Sequence, residues 1–313
     1  MSENDIKEVL AALQNLPDFK GINVAALDIQ RLGGLTNLVF RVAANGQSVI
    51  VRIPGQGTED YIDRAVEIHN ARVAADAGVS PDVLWADSGT GVMISDCIEE
   101  GIVTMTPEQF STRSGSPARA GAALRQLHGS DKPFEFRFEL FAMIEDYLGI
   151  LANKDIDLPD GYAGVVADAA PVRKLLEEKP EPLVPSHCDP LCENFLDDGN
   201  RMWIVDYEYS GMNDAMWDLG DLSVEANMTD AQDREMLMAY FGQPPTAAQL
   251  GRMVVYKAMC DLLWTLWGLI QHADRNPADD FWAYAIGRFE RCKALMDDDS
   301  FGEHLDAIRA ASN

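Results

Sequence analysis

The feature of this sequence that most constrains its fold is a short run of oxygen-bearing side chains around one hairpin signal. Asp189 stands five positions before Asn194, and Asp206 follows after an Asp198-Gly199 turn signal. Apolar residues flank the turn, so two short strands are expected to pair there. Such a pair would bring Asp189, Asn194 and Asp206 together, which is the arrangement that a hard cation requires.

The expected register follows from the turn. Counting outward from a two-residue turn at Asp198-Gly199 sets Asn194 opposite Trp203 and Asp206 opposite Leu191. The simpler alternative is a surface hairpin with incidental acids in an acid-rich chain. The Asp–Asn spacing alone is a weak signal, because it also arises by chance. The hairpin and the second Asp, taken together with that spacing, favour a functional site.

The same order of residues is typical of kinase active sites, where H-R-D-x-x-x-x-N is followed by a metal-binding Asp. In that scheme Asp189 accepts the proton of the substrate hydroxyl group. Asn194 and Asp206 bind Mg²⁺ on the phosphates of ATP, and Glu208 is a further candidate metal ligand. His187 is predicted to support the loop, because Asp189 already supplies the base.

Length and charge restrict the class of partner. The chain has 313 residues, 47% of them hydrophobic, which is enough for two lobes with substantial cores. Its 51 acidic and 25 basic residues give a formal net charge of −26. A nucleic acid partner is not expected, because binding a polyphosphate needs a basic surface. A small cationic substrate fits the charge, although solubility explains most of it.

Cysteine usage and hydropathy predict a cytoplasmic protein. The five cysteines (97, 188, 192, 260 and 292) lack the paired spacing of metal sites, so reduced thiols are expected. The acidic, amphipathic start of the chain is unlike a signal peptide. No apolar run is expected to reach membrane-spanning length. The longest candidate, 262–270, contains Thr265 and Gly268, so no membrane insertion is predicted.

The first hundred residues have the pattern of an antiparallel sheet with helices. One helix is expected over 4–15 and another over 61–77, ending at Gly78. Asn45-Gly46 predicts a tight hairpin. Strands are expected at 29–32, 38–43, 48–53, 83–86 and 91–94.

The rest of the chain is mainly helical in its periodicity. We therefore predict an α+β fold with two lobes and a ligand in the cleft between them. Residues 1–99 form a small antiparallel-sheet lobe that binds the nucleotide, and residues 100–313 form a large, mainly helical lobe for catalysis and substrate binding. Helices are expected at 107–128, 136–152, 163–179, 230–241, 247–272 and 279–296.

Candidate nucleotide contacts begin in the glycine-containing loop 32–37. Glycine lets backbone amides approach phosphates without an intervening Cβ, which makes Gly34, Thr36 and Asn37 the candidate contacts. Paired glycines also occur in ordinary tight turns, so this loop alone is a weak signal.

A second group of candidate contacts follows along the same lobe. Arg52 stands on the third strand, where a kinase places its phosphate-binding lysine, and Glu67 on the next helix is its candidate ion-pair partner. Each residue alone would be interpreted as an exposed charge, but their order behind the glycine loop favours a function. Asp96 and Ile98 fall between the lobes, where backbone groups would contact adenine.

Taken together, these stretches resemble the choline/ethanolamine kinase family. The resemblance implies a protein-kinase-like fold and ATP- and Mg²⁺-dependent phosphorylation of a small cationic amino alcohol, choline or ethanolamine. The arginine at position 52 is usual in this family. The matching stretches are 32–37, 49–53, 63–67, 187–194, 204–213 and 217–225.

The resemblance also implies a choline pocket made of aromatic rings and an acid. The implied pocket residues are Tyr209, Glu225, Trp264, Trp267 and Tyr284. A quaternary ammonium cannot donate a hydrogen bond, so it is held by cation–π attraction and negative charge. The alternative is that the tryptophan pair, three residues apart on one apolar helix, simply packs in the core.

Three other functions compete with choline phosphorylation. An ethanolamine kinase, or an aminoglycoside-type phosphotransferase, would keep the catalytic residues, but an aminoglycoside site would favour an acidic surface over an aromatic cage. A catalytically inactive binding module is disfavoured, because every chemical position carries a competent residue. Choline is the predicted substrate.

Overall fold

The computed structural model describes residues 3–33, 37–55, 62–98 and 101–311. The N-terminal part is built on a five-stranded antiparallel sheet with the strand order β1-β2-β3-β5-β4. Its strands are β1 (Asp28–Arg31), β2 (Leu38–Ala44), β3 (Gln47–Ile53), β4 (Val83–Ala86) and β5 (Met93–Asp96).

Local sequence explains this sheet well. Asn45 and Gly46 form the predicted two-residue hairpin between β2 and β3, with φ values of 52° and 80°. Two helices accompany the sheet, α1 (Glu3–Leu13) and α2 (Arg64–Asp76). The side chain of Asp63 starts α2 by accepting hydrogen bonds from the first backbone amides of the helix.

The C-terminal part is mainly helical, as predicted. Its helices are α3 (Pro107–Thr112), α4 (Ser116–His128), α5 (Leu140–Leu151), α6 (Tyr162–Asp168), α7 (Ala170–Glu178), α8 (Ala215–Glu225), α9 (Asp230–Phe241), α10 (Ala247–Ala273), α11 (Phe281–Asp297) and α12 (Asp299–Ala310). With the small antiparallel sheet before them, they give the two-lobed α+β architecture of protein-kinase-like proteins. The predicted lobe boundary near residue 99 lies outside the described residues and stays a prediction.

Several predicted boundaries need correction. The helix predicted over 107–128 is interrupted at Arg113, whose backbone is extended before Gly115 adopts a positive φ. The helix predicted over 163–179 is likewise two helices, α6 and α7, because Pro171 allows the second to begin anew. Helices α8 and α12 were not predicted.

Two short sheets hold the catalytic segment. Strands β7 (Leu183–Ser186) and β10 (Gly211–Asp214) pair with each other, while β6 (Val103–Thr104), β8 (Phe195–Asp197) and β9 (Met202–Ile204) form the second sheet.

The hairpin exists, but its predicted register was wrong. Leu196, not Asn194, lies opposite Trp203, because the loop between the strands has four residues, 198–201. The side chain of Asp198 accepts hydrogen bonds from the backbone amides of Asn200 and Arg201 at 2.7 and 2.8 Å and so stabilises the wider turn.

Helix α10 is the centre of the larger core and packs against α5, α8, α11 and α12. By length and composition it could cross a membrane, contrary to the sequence-based prediction, but 83% of its most apolar stretch is buried inside the protein. Helix α10 is therefore a core helix of this fold. Gly220 allows the close approach of α8, since a Cβ there would lie 2.8 Å from the Met253 carbonyl oxygen.

Candidate active site

The loop that carries Asp189 is fixed by the start of α8. The fully buried carboxylate of Asp218 accepts hydrogen bonds from the backbone amides of His187 and Cys188, at 2.7 and 2.9 Å. The indole N–H of Trp217 donates to the Cys188 carbonyl oxygen at 3.0 Å. Sequence reasoning assigned no role to Trp217 or Asp218, although the Trp-Asp pair stands in a family-like stretch.

These contacts hold a strained backbone. Cys188 has a φ of 66°, a left-handed backbone conformation that residues other than glycine, asparagine and aspartate rarely adopt. His187 is fully buried, and its Nε2 donates to the Val205 carbonyl oxygen at 2.9 Å. Burial lowers the pKa of this imidazole, which therefore stays neutral and ties the loop to the following hairpin. This placement agrees with the predicted supporting role of His187.

Asp189 and Asn194 are brought together as the spacing suggested. The Asn194 side-chain N–H donates to the Asp189 carbonyl oxygen at 3.0 Å, so the amide oxygen of Asn194 stays available as an acceptor. Burial raises the pKa of the Asp189 carboxyl to about 8, and the charges of Glu225 and Asp206 add to the effect. A carboxylate with such a pKa is a competent proton acceptor near neutral pH.

A second group of acids lies beside β3. Carboxylate oxygens of Glu67, Asp206 and Glu208 lie within 4.8 Å of one another. Arg52 forms ion pairs with Glu67 and, at 3.3 Å, with Asp206. Burial opposes the charge on Arg52, but Glu67, Asp206 and Glu208 together outweigh it, so the pKa of the guanidinium is raised. The structure thus places Glu67 against Arg52, the pairing suggested by the sequence.

Arg64 belongs to the same ion-pair group, although the sequence analysis gave it no role. It stands on the first turn of α2, and its Nη1 donates to Glu67 at 2.8 Å and to Glu208 at 2.6 Å. The available signal was its position three residues before Glu67, which puts both side chains on one helix face. Arg64 therefore joins α2 to the segment that follows Asp206.

The donor chemistry of this cluster fits a magnesium ion. Burial, with the neighbouring charge of Glu208, raises the pKa of Asp206 to about 7, and a divalent cation bound there would favour the ionised carboxylate. Asp206 has a φ of 69°, and oxygen donors of Asp206, Glu208 and Asn194 are of the type that Mg²⁺ prefers. These residues were the predicted metal ligands.

The structure describes three of the five remaining candidate nucleotide contacts. Asn37 is buried, and its side-chain oxygen accepts from the Gly55 backbone amide at 3.3 Å, which joins the start of β2 to the end of β3. Asp96 ends β5 and is exposed, and Ile98 follows it half-buried. The predicted contacts Gly34 and Thr36 lie outside the described residues.

The predicted aromatic residues do form one group. Ring centroids are 5.9 Å apart for Tyr209 and Trp264, 6.4 Å for Trp264 and Trp267, and 5.7 Å for Trp267 and Tyr284, all edge to face. Gly268 permits the last contact, since a Cβ there would come within 2.7 Å of the Tyr284 ring. We call these four rings the aromatic box. Trp267, Tyr284 and Tyr209 are only partly buried, which leaves ring surface accessible.

Glu225 reaches the box region, but with a partner that the sequence did not predict. Its carboxylate forms an ion pair with Arg288, whose guanidinium carbon lies 4.6 Å from the centroid of the Tyr284 ring. Arg288 also contacts Asp261 at 3.3 Å. Arg288 thus lies between the acid and one wall of the box.

The fold, with a buried Asp close to an Asn and a second Asp, is that of a kinase-like phosphotransferase with an alcohol acceptor. The family model described as choline/ethanolamine kinase matches residues 29–238. The chain belongs to the choline/ethanolamine kinase family.

Three relatives illustrate the similarity. A choline/ethanolamine kinase family protein from Mesorhizobium loti is 57% identical, with a TM-score of 0.89 over 98% of this chain and 99% of that one. The choline kinase LicA from Streptococcus pneumoniae shares the fold at 24% identity, with a TM-score of 0.77 over 94% of this chain and 99% of that one. Mouse ethanolamine kinase 2 is 25% identical over 78% of this chain and 68% of its own length.

Proposed function

We propose that this protein transfers the γ-phosphoryl group of ATP to the hydroxyl group of choline in an Mg²⁺-dependent reaction. The observation that carries the proposal is the aromatic box beside the catalytic loop. Tyr209 stands three residues after Asp206, and the charge of Glu225 is close enough to raise the pKa of Asp189. A cation held by the box would therefore present its hydroxyl group near Asp189.

Each part of the site has a defined task in this reaction. Asp189 orients the substrate hydroxyl group and accepts its proton as the new bond to phosphorus forms. Arg52, held by Glu67, presents a positive charge for phosphate oxygens. Asn194, Asp206 and Glu208 would hold the magnesium, which supplies charge neutralisation on the phosphates when bound. The further residues proposed to contact the nucleotide are Gly34, Thr36, Asn37, Asp96 and Ile98.

Choline is favoured over ethanolamine by the walls of the box. Three methyl groups on nitrogen gain from apolar, π-rich surroundings, whereas the N–H donors of ethanolamine find few acceptors on aromatic rings. The same argument disfavours an aminoglycoside, whose several ammonium groups require several acids.

We place the reaction in the cytoplasm, since no disulfide joins the five cysteines, all of which lie in the described part of the chain.

A substrate panel tests this proposal directly. With ATP and Mg²⁺, ADP release is measured for choline, ethanolamine and an aminoglycoside under one condition. We expect the largest kcat/KM for choline. An ethanolamine value equal to or above that for choline would refute the preference but keep the amino-alcohol kinase assignment, and turnover of the aminoglycoside alone would overturn both.

Trp267→Ala should weaken choline use selectively. Trp267 contacts the rings of Trp264 and Tyr284, and the loss of one cation–π contact, worth about 0.5–2 kcal/mol, should raise the KM for choline by about twofold to thirtyfold. The KM for ATP should change little. Steady-state kinetics with each substrate varied in turn provides the measurement.

Trp282→Ala is the matched control for this variant. Trp282 is 38% exposed, and its ring contacts His272 rather than a member of the box. This substitution also removes a tryptophan side chain, from the neighbouring surface, and it should leave the KM for choline and the KM for ATP unchanged. Equal effects of the two variants would show that Trp267 acts through general packing.

A further inference from the structure

One face of α8 carries three acids with different surroundings. Asp218, Asp221 and Glu225 are spaced three and four residues apart, so they share a helix face. Asp218 binds the backbone of the catalytic loop. Asp221 instead accepts a hydrogen bond from the indole N–H of Trp264, a member of the aromatic box, at 3.1 Å.

The charge of Glu225 is already matched inside the protein. Arg288 pairs with Glu225 and is 6% exposed, so this ion pair is shielded from water. The fully buried carboxylate of Asp261 forms ion pairs with Arg291 at 2.7 Å and with Arg288 at 3.3 Å. A carboxylate with a buried guanidinium against it has little charge left to attract a substrate cation.

Asp221 forms no ion pair with any residue that the structure describes, although the charge of Arg288 acts on it. It is 1% exposed, and one oxygen, Oδ1, has no hydrogen-bond donor among the residues that the structure describes. Burial and the nearby charge of Glu225 raise the pKa of this carboxyl well above its usual range. When Asp221 is ionised, as a neighbouring cation would favour, its negative charge is left unmatched by the balanced ion pairs of Glu225 and Asp261 with Arg288 and Arg291.

We infer that Asp221, rather than Glu225, supplies the negative charge that binds the ammonium group of the substrate. The inference rests on the proposed function. A monocation entering the aromatic box would favour the ionised form of Asp221 and match its negative charge. The hydrogen bond from Trp264 fixes the Asp221 carboxylate against the box, so charge attraction and cation–π attraction act on the same group.

The test compares each cation with its uncharged isostere. Choline is paired with 3,3-dimethylbutan-1-ol, and ethanolamine with propan-1-ol; each is measured as a substrate and as a competitive inhibitor. In Asp221→Asn, which keeps an acceptor for Trp264, the affinity for choline should fall on the order of tenfold or more. The affinity for 3,3-dimethylbutan-1-ol and the KM for ATP should stay the same. Ethanolamine should lose more than choline, because its N–H groups also lose the acceptor Oδ1.

A double variant separates Asp221 from the neighbouring pair. Glu225→Gln combined with Arg288→Gln removes one acid and one base together, so the unmatched charge at Asp221 remains. This variant should keep the preference for choline over the isostere. Asp221→Ser, smaller and also neutral, should show the same loss as Asp221→Asn, and it provides the measurement if Asp221→Asn folds poorly, as monitored by thermal melting.

The outcomes distinguish the two levels of the proposal. If the wild-type protein phosphorylates no amino alcohol, the proposed function is wrong. If it phosphorylates choline but both Asp221 variants keep the preference for the cation, the inference is wrong and the function stands. Loss of that preference in the double variant, with retention in Asp221→Asn, would assign the charge to Glu225.

Discussion

Asp189→Asn is expected to lose most of its kcat while binding ATP almost as the wild type does. The amide is isosteric with the carboxylate but cannot accept the proton of the substrate hydroxyl group. General-base catalysis contributes on the order of 10²–10⁴-fold, and we expect a loss of this size. ATP affinity should hold, because Arg52 and the acids around it are untouched. Single-turnover kinetics and calorimetric ATP titration measure the two quantities separately.

Glu193→Gln is the matched control for this substitution. Glu193 lies in the same loop, is exposed, and also loses one negative charge. It should turn over choline at the wild-type rate. If Asp189→Asn kept near-wild-type turnover, another group would have to be the base and the assignment of Asp189 would fail.

The second large effect is expected at the proposed metal site, where Asp206→Ala should abolish activity. Asp206 is central to the acid cluster, and a bound metal contributes several kcal/mol of charge stabilisation, so the loss should be about 10³-fold or greater. Raising the Mg²⁺ concentration should not restore the rate fully, because the ligand itself is missing. Activity measured across a Mg²⁺ titration checks this result.

A backbone effect must be separated from the loss of the ligand. Asp206 adopts a φ of 69°, a conformation that asparagine tolerates better than alanine. Asp206→Asn therefore removes the charge with less strain, and it should be nearly as inactive as Asp206→Ala. Full rescue of either variant by excess Mg²⁺, or a nucleotide-bound structure with the metal elsewhere, would contradict the assignment.

Much of the fold could be predicted from the sequence because its signals are local. The Asn45-Gly46 hairpin and the helix that begins after Asp63 each depend on residues within a few positions. The register at Asp198 was mispredicted because its side chain favours a wider loop than the two-residue turn assumed from Asp-Gly. Helix α8 was missed because 216–224 are buried all around, so no amphipathic period marks it.

The site shows the same division between local and distant information. The spacing of Asp189, Asn194 and Asp206 predicted a local group, and in the structure the Asn194 side chain bonds the Asp189 backbone while the charge of Asp206 acts on the Asp189 carboxyl. Arg288, in contrast, lies 63 residues from its partner Glu225, and nothing in the spacing couples them. Ion pairs across helices depend on packing that no local pattern records, so the partner of Glu225 could not be predicted, and its substrate-binding role stays a prediction.

The position of α8 has a consequence for how such an enzyme can diversify. Its first turn fixes the backbone beside Asp189, and its next two turns carry Asp221, which accepts a hydrogen bond from Trp264 of the aromatic box, and Glu225. The aromatic walls, however, come largely from α10 and α11. Substitutions on those two helices can therefore reshape acceptor choice while the reactive geometry is inherited intact. A swap of wall residues between relatives should transfer selectivity only when α8 is kept as the common frame.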